Sequence, residues 1–265
     1  MSDHQSLVGG RHELGQNFLT DRTVIASIEA LVARTSGPIV EIGPGDGALT
    51  VPLSRTGRPL TAVEIDPRRA RRLARRLPPG ARVVNADILR HRLPREPHVV
   101  VGNLPFHLTT PILRRLLSAG GWESAVLLVQ WEVARRRAGV GGASMLTAAW
   151  WPWYDFVLHS RVPARAFRPA PSVDGGLLTV VRRRDPLVAP ADRDPYQAFV
   201  RRVFTGPGRG VREVLARTGH FDRRELHAWL RAERPAPNAL PKHLTARQWA
   251  SLWEVATPRP ARGRE

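Results

Sequence analysis

From Leu14 to Arg183, short runs of Val, Ile and Leu recur, each followed by a longer stretch with apolar residues at helical spacing. Runs that are apolar at every position suit strands buried on both faces. The stretches between them suit crossover helices, so the alternation predicts an α/β fold with a parallel, βαβ-type sheet. Strands are expected at Ile39–Ile42, Leu60–Ile65, Arg82–Asn85, Val99–Gly102 and Ala125–Val129, with two more at Phe156–Val162 and Gly176–Arg182. Pro163 to Pro171 is too short and too proline-rich to hold a crossover helix, which predicts antiparallel pairing of the last two. Ala48–Thr56 suits a helix. Asp66 and Pro67 form an N-cap and first helical position for another over Arg68–Leu77, with Leu73 and Leu77 toward the sheet and six arginines on a solvated face.

After Arg184 the pattern changes. DPLVAPADRDP reads as a joint, and Tyr196–Phe204, Arg212–Thr218, Arg223–Arg231 and Thr245–Ala256 read as short helices with no strand among them. The expected organisation is a flexible segment 1–13, a catalytic domain 14–184, a helical domain 185–257 and a basic tail 258–265. WWPWYDF, Trp150 to Phe156, follows an apolar helix and leads into a strand, which suits core packing.

A formal charge of +18 favours polyanionic partners, nucleic acid foremost, through attraction and counterion release. Lys242 is the single lysine, so part of the excess reflects a bias toward arginine. The absence of cysteine excludes disulfides, thiolate metal sites and thiol nucleophiles. No His, Asp and Glu spacing argues for a metal. The polar start lacks a signal-peptide core, and no apolar run approaches the ~20 residues that span a bilayer, so a cytoplasmic protein with no membrane partner is expected.

VEIGPGDGALT runs from a strand into a helix, and Gly43, Gly45 and Gly47 let backbone approach a ligand at the helix N-terminus. Gly43, Gly45 and Ala48 satisfy a dinucleotide fingerprint, with Glu64 ending the next strand at the usual distance. Spacing alone therefore leaves a dinucleotide and S-adenosylmethionine both open. Charge favours the second, because Glu41 and Asp46 concentrate negative charge where a pyrophosphate would sit. Asp87, after the third strand, can accept an adenine amine; by itself it could equally be a turn or cap residue.

The fourth strand leaves the core through GNLPFH, beside the crevice where open parallel sheets bind ligands. An exocyclic adenine nitrogen is a poor nucleophile because its lone pair is delocalised into the ring. The Asn103 side-chain oxygen and a backbone carbonyl, which Pro105 helps aim by holding Leu104 extended, would draw that lone pair back. Phe106 can stack on the base, a contact worth about 1–3 kcal/mol. His107 is read as positioning or structural, since an amine that attacks first needs no base.

The set GQNFL, EIGPGDGALT, AVEID, NADIL, GNLPFH and AFRPAPSVDGGLL, in this order and over almost the whole chain, resembles the rRNA adenine N6-methyltransferases. The resemblance implies a Rossmann-like S-adenosylmethionine-dependent domain with a seven-stranded, mostly parallel sheet, and a small C-terminal all-helical, RNA-binding domain. It implies cofactor contacts from Asn17, Leu19, Gly43, Gly45, Glu64, Ile65, Asp87, Ile88 and Asn103. It further implies catalysis at Asn103, Leu104, Pro105 and Phe106, with Phe106 and Phe167 walling the base. RHELGQNFL and FTGPGRGVREVLA look most like the Erm branch, which methylates one adenosine of 23S rRNA and confers macrolide, lincosamide and streptogramin B resistance. A monomer acting on free or assembling 23S rRNA is implied. The alternatives are the housekeeping small-subunit dimethyladenosine transferases, which typically carry NLPYN where this chain has NLPFH, and a non-enzymatic nucleic-acid-binding relative.

Overall fold

The computed structural model describes residues 17–257; the segments 1–13 and 258–265 lie outside them. The elements run β1 (Phe18–Leu19), α1 (Arg22–Ala33), β2 (Ile39–Ile42), α2 (Thr50–Leu53), β3 (Leu60–Glu64), α3 (Pro67–Ala74), β4 (Ala81–Asn85), β5 (His98–Asn103), α4 (Thr109–Ser118), β6 (Trp122–Gln130) and α5 (Trp131–Arg137). They continue with α6 (Met145–Trp150), β7 (Tyr154–Val162), β8 (Phe167–Arg168), β9 (Gly175–Arg182), α7 (Arg193–Thr205), α8 (Val211–Arg217), α9 (Arg223–Glu233) and α10 (Ala246–Ala256). Among the described residues no helix is long and apolar enough to cross a membrane.

Seven strands form one sheet in the order β4-β3-β2-β5-β6-β9-β7. The pairs β2–β3, β3–β4, β2–β5 and β5–β6 are parallel. Strand order reverses between β2 and β5, which puts a crevice at their carboxyl ends. β9 returns between β6 and β7, so the last two strands are neighbours, as the proline-rich connection requires. β2 is buried at all four positions and β5 at its first five, because helices cover both sheet faces. Ile28 and Val32 of α1 meet Ile39, Leu60, Val99, Val101 and Val126 in one core, each at most 1% exposed.

The predicted helices form with shifted ends. Ala48–Thr56 becomes α2 followed by a single 3-10 turn, Ser54–Thr56, closed by Gly57 at φ +74°. Asp66 caps α3 by accepting from Arg68 N at 2.7 Å and Arg69 N at 3.2 Å, with Pro67 in the first turn. The helix stops at Ala74, so Leu73 is buried while Leu77, expected beside it, falls past the end and is only half-buried.

The chain divides into two compact units. One comprises the residues up to Trp131 with Ser160–Leu177; the other comprises Glu132–His159 with the residues from Leu178 onward. The second unit thus takes in α5, α6 and part of β7, where the sequence places a break near residue 185. Its interior is aromatic: Tyr196 lies edge-on to Trp153 at 5.4 Å and to Trp253 at 5.8 Å, and Phe204 stacks on Trp249 at 5.6 Å. Tyr196 Oη donates to the Ala148 carbonyl at 2.9 Å, and burial raises its pKa. Trp150, Trp153, Tyr154 and Phe156 are all buried, so the WWPWYDF cluster is core, as expected.

Leu73 tests the joint between α3 and the glycine loop, since a β-carbon at Gly47 would lie 2.6 Å from Leu73 Cδ1. Leu73→Ala should lower stability by about 2–5 kcal/mol in a urea melt, because the loop's backbone cannot collapse into the cavity.

Candidate active site

The carboxyl ends of β2, β3 and β5 and the turn after β4 enclose a cavity of about 230 Å³. Its first wall is the glycine loop. Gly45 adopts φ +56°, and a β-carbon there would come within 3.0 Å of Phe18 Cε1. Any larger residue would therefore both strain the turn and push Phe18 away.

Glu64, at the end of β3, holds this loop. It is 2% exposed, and its two carboxylate oxygens accept from Gly45 N at 3.0 Å and Asp66 N at 2.9 Å. Each oxygen keeps a second lone pair for a ligand hydroxyl. Asn85 stiffens the same corner by donating to the carbonyls of Glu64 at 2.8 Å and Ile65 at 3.1 Å. Ile65, 53% exposed, offers an apolar flank to the cavity, with Ile88 also on its wall. Asp87 shapes its own turn, its side chain accepting from Leu89 N at 2.8 Å.

Glu41 is 2% exposed and lines the cavity, and its Oε2 has no hydrogen-bond partner among the described residues. Burial pushes its carboxyl up to about 8, with the nearby Glu64 adding to the effect and the Thr50 side chain opposing it. Asp46 plays a different part from the one its position in the loop suggests. Its carboxylate is half exposed and paired with Arg69 at 3.3 Å and with Arg72, while Arg76 donates to its carbonyl at 3.1 Å. Asp46 is thus matched by arginine, and the buried acidic side chains that line the cavity are Glu41, which keeps its proton at neutral pH, and Glu64.

Opposite the loop stands the Asn-Leu-Pro-Phe turn. Leu104 N donates to the Leu128 carbonyl at 2.9 Å, which prolongs the β5–β6 ladder by one bond and buries the Leu104 side chain. Asn103 Nδ2 donates to the Asn17 carbonyl at 2.8 Å. That bond fixes the amide and leaves Oδ1 without an intramolecular donor among the described residues. Pro105 leads into a 3-10 turn, Phe106–Leu108, on which Phe106 lines the cavity and His107 is exposed.

Asn17, Leu19, Gly43, Gly45, Glu64, Ile65, Asp87, Ile88, Asn103, Leu104, Pro105 and Phe106 all line this one cavity. Phe167 does not. It pairs with Leu19 in the antiparallel ribbon β1–β8, is 1% exposed, and meets Phe106 edge-on at 6.3 Å. Its ring is buried in the core beside Leu19, Val126 and Leu128, so it buttresses Phe106 and does not line the cavity. Sequence reasoning assigned no role to Phe18 and Asn85. Phe18 lies against Gly45 and beneath the Arg69 guanidinium, 4.4 Å from the ring centroid. Only its place inside the QNFL motif hinted at this.

The cavity is lined by a glycine loop and the buried acids Glu41 and Glu64, with no basic side chain among the described residues that line it. It therefore offers a pyrophosphate no counter-charge and suits a nucleoside without phosphates, which sets the molecule among the α/β methyltransferases. The family described as Ribosomal RNA adenine dimethylase matches residues 9–257, and the chain belongs to that family. The mycinamicin-resistance protein MyrB of Micromonospora griseorubida is 54% identical over 260 residues, covering 96% of this chain and 83% of its own. An rRNA adenine N-6-methyltransferase of Corynebacterium diphtheriae is 55% identical over 219 residues, 82% of this chain and 87% of its own. The crystal structure of the 23S rRNA methyltransferase ErmE matches with a TM-score of 0.83 at 36% identity, covering 91% of this chain and 99% of that one. The protein is thus an rRNA adenine N6-methyltransferase.

The raised Glu41 carboxyl fixes the sign of a pH effect. The folded state holds this proton more tightly than the unfolded chain, whose group titrates near 4.5. Its contribution is full below pH 4.5 and is lost as pH rises toward about 8, with a slope of at most about 1.4 kcal/mol per pH unit. Glu41→Gln should remove that slope, so urea midpoints of the variant and parent should diverge between pH 5.5 and pH 8 in the variant's favour. Parallel curves would show that Glu41 is ionised in the fold.

Proposed function

We propose that this enzyme transfers a methyl group from S-adenosylmethionine to N6 of one unpaired adenosine in 23S rRNA, and thereby confers macrolide, lincosamide and streptogramin B resistance. The observation that carries the chemistry is the Asn103 amide, which lines the cavity with its nitrogen committed to the Asn17 carbonyl and its oxygen uncommitted among the described residues. The similarity to a mycinamicin-resistance protein and to ErmE supports the choice of 23S rRNA.

The residues fit the donor. Glu41 Oε2, buried and unpartnered, calls for a hydrogen-bonding group of the ligand at the loop. Glu64 would accept the ribose hydroxyls, Asp87 the adenine amine, and Ile65 and Ile88 would flank the ring. Gly43 and Gly45 admit the ligand close to backbone, with Asn17 and Leu19 bordering the same end. When bound, S-adenosylmethionine supplies a methyl group on a cationic sulfur, open to direct displacement by nitrogen.

This chain's own work is to prepare the amine. Asn103 Oδ1 and the Leu104 carbonyl accept its two hydrogens and so localise the nitrogen lone pair. Pro105 holds that carbonyl in place, Phe106 stacks on the base, and Phe167 supports Phe106 from behind. The proton leaves after attack, so no titrating base is needed and His107 stays outside the reaction. The base must be extruded or already unpaired, because N6 cannot meet the methyl group inside a helix. A single chain contains every group invoked, which fits a monomer, and the substrate makes cytoplasm the site of action.

The helices of residues 185–257 are proposed to hold RNA. A notch of about 500 Å³ there is lined by Arg212, His227 and Arg231 beside Pro235 and Pro237. Arg212 donates to His227 Nε2 at 3.3 Å, and neither Arg212 nor Arg231 is paired with a carboxylate among the described residues, so both charges are available to phosphate.

With labelled S-adenosylmethionine, a 23S transcript should accept methyl and a 16S transcript should not; the reverse would mark a small-subunit enzyme, and RNA retention without transfer a non-enzymatic one. Asn103→Ala should cut kcat by about a hundredfold or more, the scale on which preorganised hydrogen-bonding groups act. Full activity in that variant would sink the amine-activation mechanism. Arg212→Ala with Arg231→Ala should lower the slope of log affinity against log salt by about 2 in filter binding, one per phosphate contact.

A further inference from the structure

Between β4 and β5 the chain runs from Ala86 to Pro97 without a helix or strand. The part that lines the cavity, Asp87 and Ile88, is therefore held by few bonds. Ala86 N donates to the Glu64 carbonyl at 3.0 Å, and His91 N returns to the Asp87 carbonyl at 2.8 Å. Within the turn, Arg90 N donates to the Asp87 carbonyl at 2.9 Å and Leu89 N to the Asp87 side chain at 2.8 Å, and a brace from another element comes from α4. Arg115 Nε donates to the Ile88 carbonyl at 3.1 Å and Nη2 to the His91 carbonyl at 2.6 Å. Among the described residues Arg115 makes no ion pair, so both of these bonds go to backbone at opposite ends of the turn. One helical turn earlier, Ile112 of the same helix lines the cavity and is 1% exposed. The helix that follows the Asn-Leu-Pro-Phe turn thus grips the loop on the far side of the site.

We infer that Arg115 is a positioning residue for the methyl donor: its planar fork sets the Asp87–Ile88 turn at the distance from Glu64 that the adenosine end requires. This rests on the reading above, in which Asp87 takes the adenine amine. Two N–H groups at fixed separation span two carbonyls, which a lysine ammonium on a flexible stem cannot do. Donor binding is then lost through the turn, while the amine-holding residues across the cavity keep their geometry.

The test is isothermal titration with S-adenosylhomocysteine, with steady-state kinetics, on the full chain. Arg115→Lys should weaken binding about tenfold and raise KM for the donor by the same factor, with kcat within about twofold of the parent. Asp87→Asn should weaken binding too, and adding Arg115→Lys to it should cost less than a further twofold, because both act through one contact. Arg115→Met, with no donors, should lose more than the lysine variant. A variant that merely folds less well lowers kcat at unchanged KM, and that pattern would overturn the assignment. So would parental affinity in Arg115→Lys, or losses that multiply in the double variant. If the parent itself fails to bind S-adenosylhomocysteine, the reading of the cavity falls, and Arg115's role with it.

Discussion

A single carboxylate organises this enzyme. Glu64 reaches from the end of β3 to the backbone of Gly45 and also holds Asp66 N, so the glycine loop, the strand end and the cap of α3 share one anchor. Each oxygen is half used, which makes the structural role compatible with binding a diol. Buried charge of this kind is tolerable only when hydrogen bonds satisfy it. Glu41 lies close by with its Oε2 unpartnered, and burial retains its proton to higher pH against the pull of the Thr50 side chain. The pair thus couples architecture to ligand choice: Glu41 keeps an oxygen for a hydrogen-bonding group of the ligand, and no basic side chain among the described residues that line the cavity is there to receive a phosphate.

The strands could be read from the chain because β-branched runs buried on both faces have few alternative fates. The candidate site was legible for a related reason: its residues stand at strand ends, where sequence order maps directly onto position in a parallel sheet. Glu64, Asp87 and Asn103 therefore reach one cavity from three strands. Contacts made sideways were not legible. Arg69 over Phe18, Asn85 on the Glu64 and Ile65 carbonyls, and Arg115 on the Asp87 turn depend on how elements pack, and no local pattern announces them. Phe167 shows the converse. Its motif suggested a ring facing substrate, and its burial in the core beside Leu19 decided otherwise.

The arginines of α3 revise how the +18 charge is understood. A row of six reads as a solvated face, yet Arg69 and Arg72 of the helix and Arg76 just past its end all turn toward Asp46. Exposed ion pairs of this kind contribute little each, but several on one loop restrict its motion. Part of the positive charge is therefore structural, spent inside the catalytic unit, and counting arginines overstates the surface available to phosphate.

The ribbon β1–β8 joins Phe18 and Leu19 to Arg168 and Phe167, roughly 150 residues apart in the chain. During synthesis the first of these segments emerges long before the second. At about 5–20 residues per second, the cap over the glycine loop waits on the order of ten seconds or more for its partner strand. Until then Asn17 has no ladder to hold its carbonyl against Asn103. The glycine loop, Glu64 and the Asn-Leu-Pro-Phe turn are all made earlier, yet the strand that carries the Asn17 partner of the Asn103 amide is paired only once the AFRP segment leaves the ribosome. Completion of the cavity wall is thus deferred by chain topology to a nearly finished unit.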